Sequence, residues 1–123
     1  MKNPKIKVSV IIPVRTVTPY LRETVQYLQR QSYKNFEIIV LIDEKEKLPG
    51  VKVISSGEAG PAHKRNLGVK KAKGEILAFL DDDSYPSKDW LQNAVKIFGD
   101  TGYGIRDTGY GIRNLLLECV GLA

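Results

Sequence analysis

Three consecutive carboxylates, Asp81-Asp82-Asp83, follow directly on the apolar run Ile76-Leu77-Ala78-Phe79-Leu80. Neighbouring like charges repel, so a buried strand rarely ends this way without compensation. A divalent cation supplies it, because Mg²⁺ and Mn²⁺ prefer carboxylate and phosphate oxygens. In an extended chain the first and third side chains lie on one side and the second on the other. One carboxylate can then meet a metal while its neighbour meets a hydroxyl. The plainer reading is a solvated acidic turn, with Asp83 or Ser84 as a cap. Two further strand ends carry polar or special residues: Pro13-Val14-Arg15 after the first apolar run and Asp43 after Phe36–Ile42. His63 is the sole histidine, with no second histidine or cysteine nearby, and reads as a loop or helix-start residue rather than a metal ligand.

The elements that must position these groups alternate. Ile6 to Val14 is a continuous apolar strand of the kind buried on both faces of a parallel sheet. A helix is predicted from Pro19 to about Ser32, with Leu21, Val25 and Leu28 on one face. Phe36–Ile42 is a second buried strand, and a charged loop, Glu44 to Gly50, leads to a third at Val51–Ser55. After the loop Gly57–Pro61 a helix is predicted over Ala62–Lys73. Ala62, Asn66, Val69 and Ala72 share its face, and Gly74 is its stop. Ile76–Leu80 is a fourth strand. Ser87 is placed to cap a last helix whose inner face is Leu91, Ala94, Val95 and Phe98. Alternating strands and helices imply right-handed crossovers and a mainly parallel sheet, class α/β. In such sheets ligands gather beyond the carboxyl ends of the strands, where Pro13-Val14-Arg15, Asp43 and Asp81-Asp82-Asp83 are placed.

A chain of 123 residues, 42% of them hydrophobic, suffices for one small domain with a true core. Its single cysteine, Cys119, excludes an internal disulfide and a cysteine-rich metal site, which fits a reducing compartment. The run Val8–Val14 is short, contains Pro13 and has no cleavage site after it, so it reads as a strand rather than a signal peptide. No stretch is long and apolar enough to span a membrane. The net charge of +5 is gathered before residue 76, with an acidic balance after it. Such a basic region attracts nucleic acid, anionic lipid heads or phosphorylated small molecules alike. The rhythm holds over residues 1–100. From 101 to 123 the tail departs from it: Asp100–Arg106 is repeated at once as Asp107–Arg113, which reads as a duplication or frameshift scar. Ile105, Ile112 and the leucine run that follows could still add a strand or a short helix.

Taken in order, Val8–Val14, Gln31-Ser32-Tyr33, Phe36–Ile42 with Asp43, Gly60-Pro61-Ala62 with Arg65-Asn66 and Gly68, and Gly74–Asp83 resemble the motifs of family 2 glycosyltransferases. Tyr85-Pro86 and Asp89-Trp90-Leu91 continue the likeness, which covers roughly residues 6–100. The resemblance implies a three-layer, Rossmann-like GT-A half-domain that binds a nucleotide-diphosphate sugar, UDP- or GDP-linked, with Mg²⁺ or Mn²⁺. It implies transfer of the sugar to an acceptor hydroxyl with inversion. By position, Pro13 and Val14 would line the base and ribose pocket, and Asp43 would accept a hydrogen bond from the base. Arg65 would approach the base or diphosphate, with Lys64, Lys70 and Lys71 beside it as the solvated helix charges it must be weighed against. Asp81 and Asp82 would hold the ribose and sugar side, and Asp83 the metal. Gly57, Gly60 and Gly68 would serve backbone conformation and close packing, and Trp90 the core. Arg15 departs from the small polar residue usual after the first strand.

The family's catalytic base lies beyond the triple aspartate, in an acceptor-binding half. Asp100, Asp107 and Glu118 lie in a tail that does not resemble it, so no catalytic residue is assigned. The chain is expected to be a truncated, donor-binding half that turns over little, and to be cytoplasmic, with full-length relatives at the cytoplasmic membrane face. No nucleic-acid partner is expected, and self-association through surface exposed by truncation is. The alternative is a noncatalytic α/β binding or interaction module using the basic face. A nucleotidyltransferase would want a glycine-rich phosphate loop after the first strand, and Val14–Thr18 has no glycine.

Overall fold

The computed structural model describes residues 6–101 and 114–116. Five strands, β1 (Val8–Pro13), β2 (Phe36–Ile42), β3 (Lys52–Ser55), β4 (Ile76–Phe79) and β5 (Asn114–Leu116), form one sheet in the order β3-β2-β1-β4-β5. Every neighbouring pair is parallel. The helices are α1 (Pro19–Gln29), α2 (Pro61–Lys71) and α3 (Trp90–Thr101). The heptapeptide repeat from residue 102 on lies outside the described residues. The start of the leucine run after it forms the short β5, the strand rather than the short helix of the two outcomes open to it, and adds a fifth strand to the sheet.

Side-chain alternation along the strands splits the apolar residues into two cores. Val8, Val10, Ile12, Ile38, Val40, Ile42, Ile76 and Ala78 pack with Leu21, Val25 and Leu28 of α1 and with Leu91 and Val95 of α3. The intervening Ile11, Ile39, Leu41 and Leu77 pack with Val69 and Ala72 at α2. One sheet carrying a core on each face is a three-layer α/β arrangement, as the buried, uninterrupted strands require.

The helix ends are set locally. Thr18 accepts a hydrogen bond from the Leu21 N–H at 3.1 Å, and Pro19 opens α1, where its missing N–H costs nothing. Gln31 is fully buried and joins α1 to α3: its amide donates to the Ser87 carbonyl at 2.6 Å and accepts from the Leu91 N–H at 3.0 Å. Ser32 donates to Asp89 at 2.6 Å and the Tyr33 hydroxyl to the Ile6 carbonyl, so the Gln-Ser-Tyr motif is a clasp. Trp90 is partly buried against the α1/α3 core, as expected.

Three local expectations are corrected. Helix α2 does not bury Ala62 or Asn66; both are exposed, and its buried residues are Lys64, Gly68 and Val69. The cause is Gly68: a Cβ there would lie 2.6 Å from Ile11 Cγ2 and 3.0 Å from Leu41 Cδ2. The absence of a side chain lets the helix sit on the sheet, and that contact rotates Lys64, one turn earlier, to the inside. Gly74 is not a left-handed helix stop, since α2 is capped at Ala72. It is needed because β1 passes close by, with Ser9 N at 2.6 Å and Lys7 O at 2.8 Å from a Cβ placed there. Ser87 does not cap α3, which starts at Trp90; it contributes its carbonyl to the Trp90 N–H at 3.1 Å.

Candidate functional site

In the order β3-β2-β1-β4 the chain leaves β1 toward β2 on one side and returns to β4 on the other. The crevice beyond the carboxyl ends of β1 and β4 is therefore the topological switch point. A cleft of about 320 Å³ lies there. Pro13, Val14 and Arg15 from the end of β1 form one wall, and Ala59, Gly60 and Pro61 at the start of α2 form another. Lys64 and Asp82 complete it. The N-terminus of α2 presents backbone N–H groups and a partial positive charge there, with no side chain capping it. A larger hollow of about 440 Å³ lies at the opposite, amino-terminal end of the sheet, against Phe36, Glu37 and Lys52. None of the strand-end groups reaches it.

Of the residues singled out in the sequence, Pro13, Val14 and Asp82 share the cleft wall. Asp43 joins them through Lys64, whose ammonium donates to Asp43 Oδ1 at 2.5 Å. Arg65, next on α2, lies 3.6 Å from Asp81, beside the lining residues Lys64 and Asp82 in sequence. With Asp81 exposed and Arg65 partly so, that pair contributes under about 1 kcal/mol to stability. Asp83 is exposed and does not line the cleft. His63 is exposed on α2.

The acidic loop is electrostatically uneasy. Burial pushes the Asp82 carboxyl up, and the charges of Asp83 and Asp81 push it further, against a bond from its own N–H. Among the described residues no group of three His, Cys, Asp or Glu side chains could hold a metal by itself. The donor set therefore suits a hard cation that takes one or two carboxylates and completes its shell with phosphate oxygens and water, the habit of Mg²⁺ and Mn²⁺.

Two residues that the sequence reading passed over shape this region. In sequence Lys64 reads as one more solvated charge on α2, but its side chain is 2% exposed. It donates to the Ala59 carbonyl at 2.6 Å as well as to Asp43. Its buried side of the helix became legible only through Gly68. Thr24 is buried on α1, and its hydroxyl lies 3.0 Å from the Asp82 carbonyl, 2.9 Å from that of Ser84 and 3.0 Å from that of Tyr20. It pins the acidic loop to α1. A threonine in a helix interior carries no signal in sequence for such a distant contact.

The sequence matches Glycosyl transferase family 2 over residues 9–114. The chain belongs to this family. An uncharacterized glycosyltransferase of Rickettsia conorii is 32% identical over 108 residues, which cover 79% of this chain and 18% of that protein. One from Haemophilus influenzae is 31% identical over 99 residues, 69% of this chain and 39% of its own length. Among solved structures, the mannosyltransferase PcManGT from Pyrobaculum calidifontis, in complex with GDP-Man and Mn²⁺, superposes with a TM-score of 0.67 at 25% identity. That match covers 85% of this chain and 36% of PcManGT. S. aureus TarS 1-349 in complex with UDP gives 0.69 at 25% identity, covering 89% and 38%. The family 2 chain thus has the GT-A fold and spans well under half the length of these relatives. No helix among its described residues is long and apolar enough to cross a membrane.

Proposed function

We propose that this family 2 chain is the donor side of an inverting glycosyltransferase, binding a UDP- or GDP-linked sugar with Mg²⁺ or Mn²⁺ for transfer to an acceptor hydroxyl. The observation that carries the reading is the switch-point cleft, which joins the end of β1, the uncapped start of α2 and the acidic loop after β4. Pro13 and Val14 offer apolar surface to the base and ribose. Asp43 accepts from a base N–H, and Arg65 donates to the diphosphate or base. Asp81 and Asp82 hold the ribose and sugar side through their hydroxyls, and Asp83 holds the metal. The bound cation would neutralise charge on the departing nucleoside diphosphate, as a Lewis acid and template. The base that takes the acceptor's proton belongs, in this reading, to the length of the relatives that this chain does not span.

Titration calorimetry of UDP and GDP, each with and without Mn²⁺, tests the proposal. One of the two should bind, more tightly with the metal, and Asp83→Ala should abolish that tightening, a loss on the order of tenfold or more. Binding of RNA with no response to either nucleotide would instead identify an interaction module working through the basic face.

A further inference from the structure

The hollow of about 440 Å³ at the amino end of the sheet lies where β3 falls short of β2. The first residue of β3, Lys52, pairs with Ile39, so Phe36, Glu37 and Ile38 have no strand beside them on that side. Along a strand, successive residues turn their N–H and C=O to opposite edges. The Asn35 and Leu41 carbonyls accept from the N–H groups of Val8 and Val14, so the odd-numbered residues of β2 face β1. The Ile42 carbonyl accepts from the Ser56 N–H, just past β3, so the even-numbered ones face β3. The Ile38 N–H and the Phe36 C=O therefore point to the side where Gly50 and Lys52 line the hollow. Neither has a partner among the described residues. Ile38 is 4% exposed, and a buried backbone N–H left unpaired is rare and costly.

The side chains around this open edge carry an excess of positive charge. Lys34 and Lys52 both line the hollow. The Lys34 ammonium donates to the Gln29 carbonyl at 3.3 Å, which leaves its charge in place. Glu37 is the one acid in the lining, and its Oε2 already accepts from the Ser9 hydroxyl and the Lys73 N–H. Its Oε1 lies 3.8 Å from the Lys52 ammonium, beyond hydrogen-bond length. Phe36 and Ile38 add apolar surface.

We propose that the hollow docks an extended acidic peptide of a partner protein, which adds a short strand to β2 where β3 stops. One residue of a strand parallel to β2, set opposite Glu37, satisfies both open groups. Its carbonyl accepts from the Ile38 N–H, and its N–H donates to the Phe36 C=O. Acidic side chains along that strand meet the two ammonium groups, and apolar ones rest on Phe36 and Ile38. A polyphosphate would also meet the ammonium groups, but it carries no donor for the Phe36 carbonyl. The open edge is a single residue pair long, so side chains rather than main-chain bonds select the partner. This site is independent of the donor reading: hollow and cleft lie at opposite ends of the sheet and share no lining residue.

The experiment uses the full chain and a labelled, end-capped peptide of alternating glutamate and valine, with binding read by fluorescence anisotropy. Two copies serve as controls, one with lysine for glutamate and one N-methylated throughout, which has no main-chain donor. The acidic peptide should bind on the order of tenfold or more tightly than either. With it bound, exchange of the Ile38 amide proton, followed by NMR, should slow by on the order of tenfold. The double variant Lys34→Glu, Lys52→Glu should lose the acidic peptide and keep its response to nucleotide. Equal binding of the acidic and lysine copies overturns the proposal, as does an Ile38 amide that exchanges as fast with the peptide bound. Protection of that amide by an RNA oligonucleotide instead of the peptide also overturns it, assigning the hollow to phosphate. Should the double variant not fold, the N-methylated copy and the exchange measurement decide with the wild type alone. Peptide binding without any response to nucleotide would sink the donor reading and leave this one standing.

Discussion

A hydroxyl proton can be given to one acceptor at a time, and Thr24 offers its single proton to three carbonyls, two of them in the acidic loop. The bond therefore acts as a pin between α1 and the segment Asp82–Ser84. Replacement by valine keeps the shape and leaves the carbonyls unmet. Thr24→Val should lower stability by about 1–2 kcal/mol in urea unfolding. It should also weaken Mn²⁺-dependent nucleotide binding, although the side chain touches neither ligand in the proposed arrangement. Unchanged metal dependence would show that the loop holds its shape without the pin. Among the candidate site residues, Asp43 and Asp81–Asp83 were visible as acids ending apolar runs. Lys64 was not, because a lysine on a polar helix looks the same whether its ammonium meets water or a buried carboxylate.

At the scale of elements, α2 shows how a missing side chain directs a site. Gly68 rests against Ile11 and Leu41, and this close approach decides which side of α2 is inward. Gly68→Ala should cost about 1–3 kcal/mol, since the added methyl forces the helix off a well-packed sheet. The same shift withdraws Lys64 from Asp43, so the variant should lose nucleotide affinity beyond what its stability explains; melting and calorimetry on one preparation separate the two. The strands were legible to within a residue or two, because an uninterrupted run of Val, Ile and Leu has one stable use in a chain of this pattern. The faces of α1 and α3 were legible for the same reason, as large apolar residues recur at helical spacing. That of α2 was not, since glycine and a lysine stem take the places that the apolar pattern assigns to other residues.

Across the whole molecule, the sheet is polar at both ends on the face that α2 covers. At the amino end the Ser9 hydroxyl donates to Glu37 at 2.6 Å and accepts from the Gly74 N–H at 2.8 Å. The Lys73 N–H also donates to Glu37, at 2.8 Å. Burial pushes the Glu37 carboxyl up, but these bonds and the charges of Lys52 and Lys7 outweigh it and hold it below its ordinary value of 4.5. A depressed folded value means that the ionised carboxylate stabilises the fold above the unfolded value. That contribution is lost as pH falls through the folded value. Glu37→Gln should therefore flatten the acid limb of the stability curve below about pH 4.5, measured as melting temperature against pH. An acid limb as steep as the wild type's would assign acid lability to other carboxylates.

The order of apolar runs, the acids that end them and the spacing of the glycines determined in advance the class of fold, the family and the edge of the sheet at which the strand-end acids and the cleft lie. These follow from local pattern, because burial and strand periodicity are written residue by residue. Which charges meet across that edge was decided only by the tertiary structure. Lys64 and Asp43 are far apart in sequence, and so are Thr24 and Asp82. Their contacts depend on how closely one helix lies against the sheet and on how it is turned. That turn comes from the fit of Gly68 between two side chains on different strands, and no periodicity along a single segment encodes it.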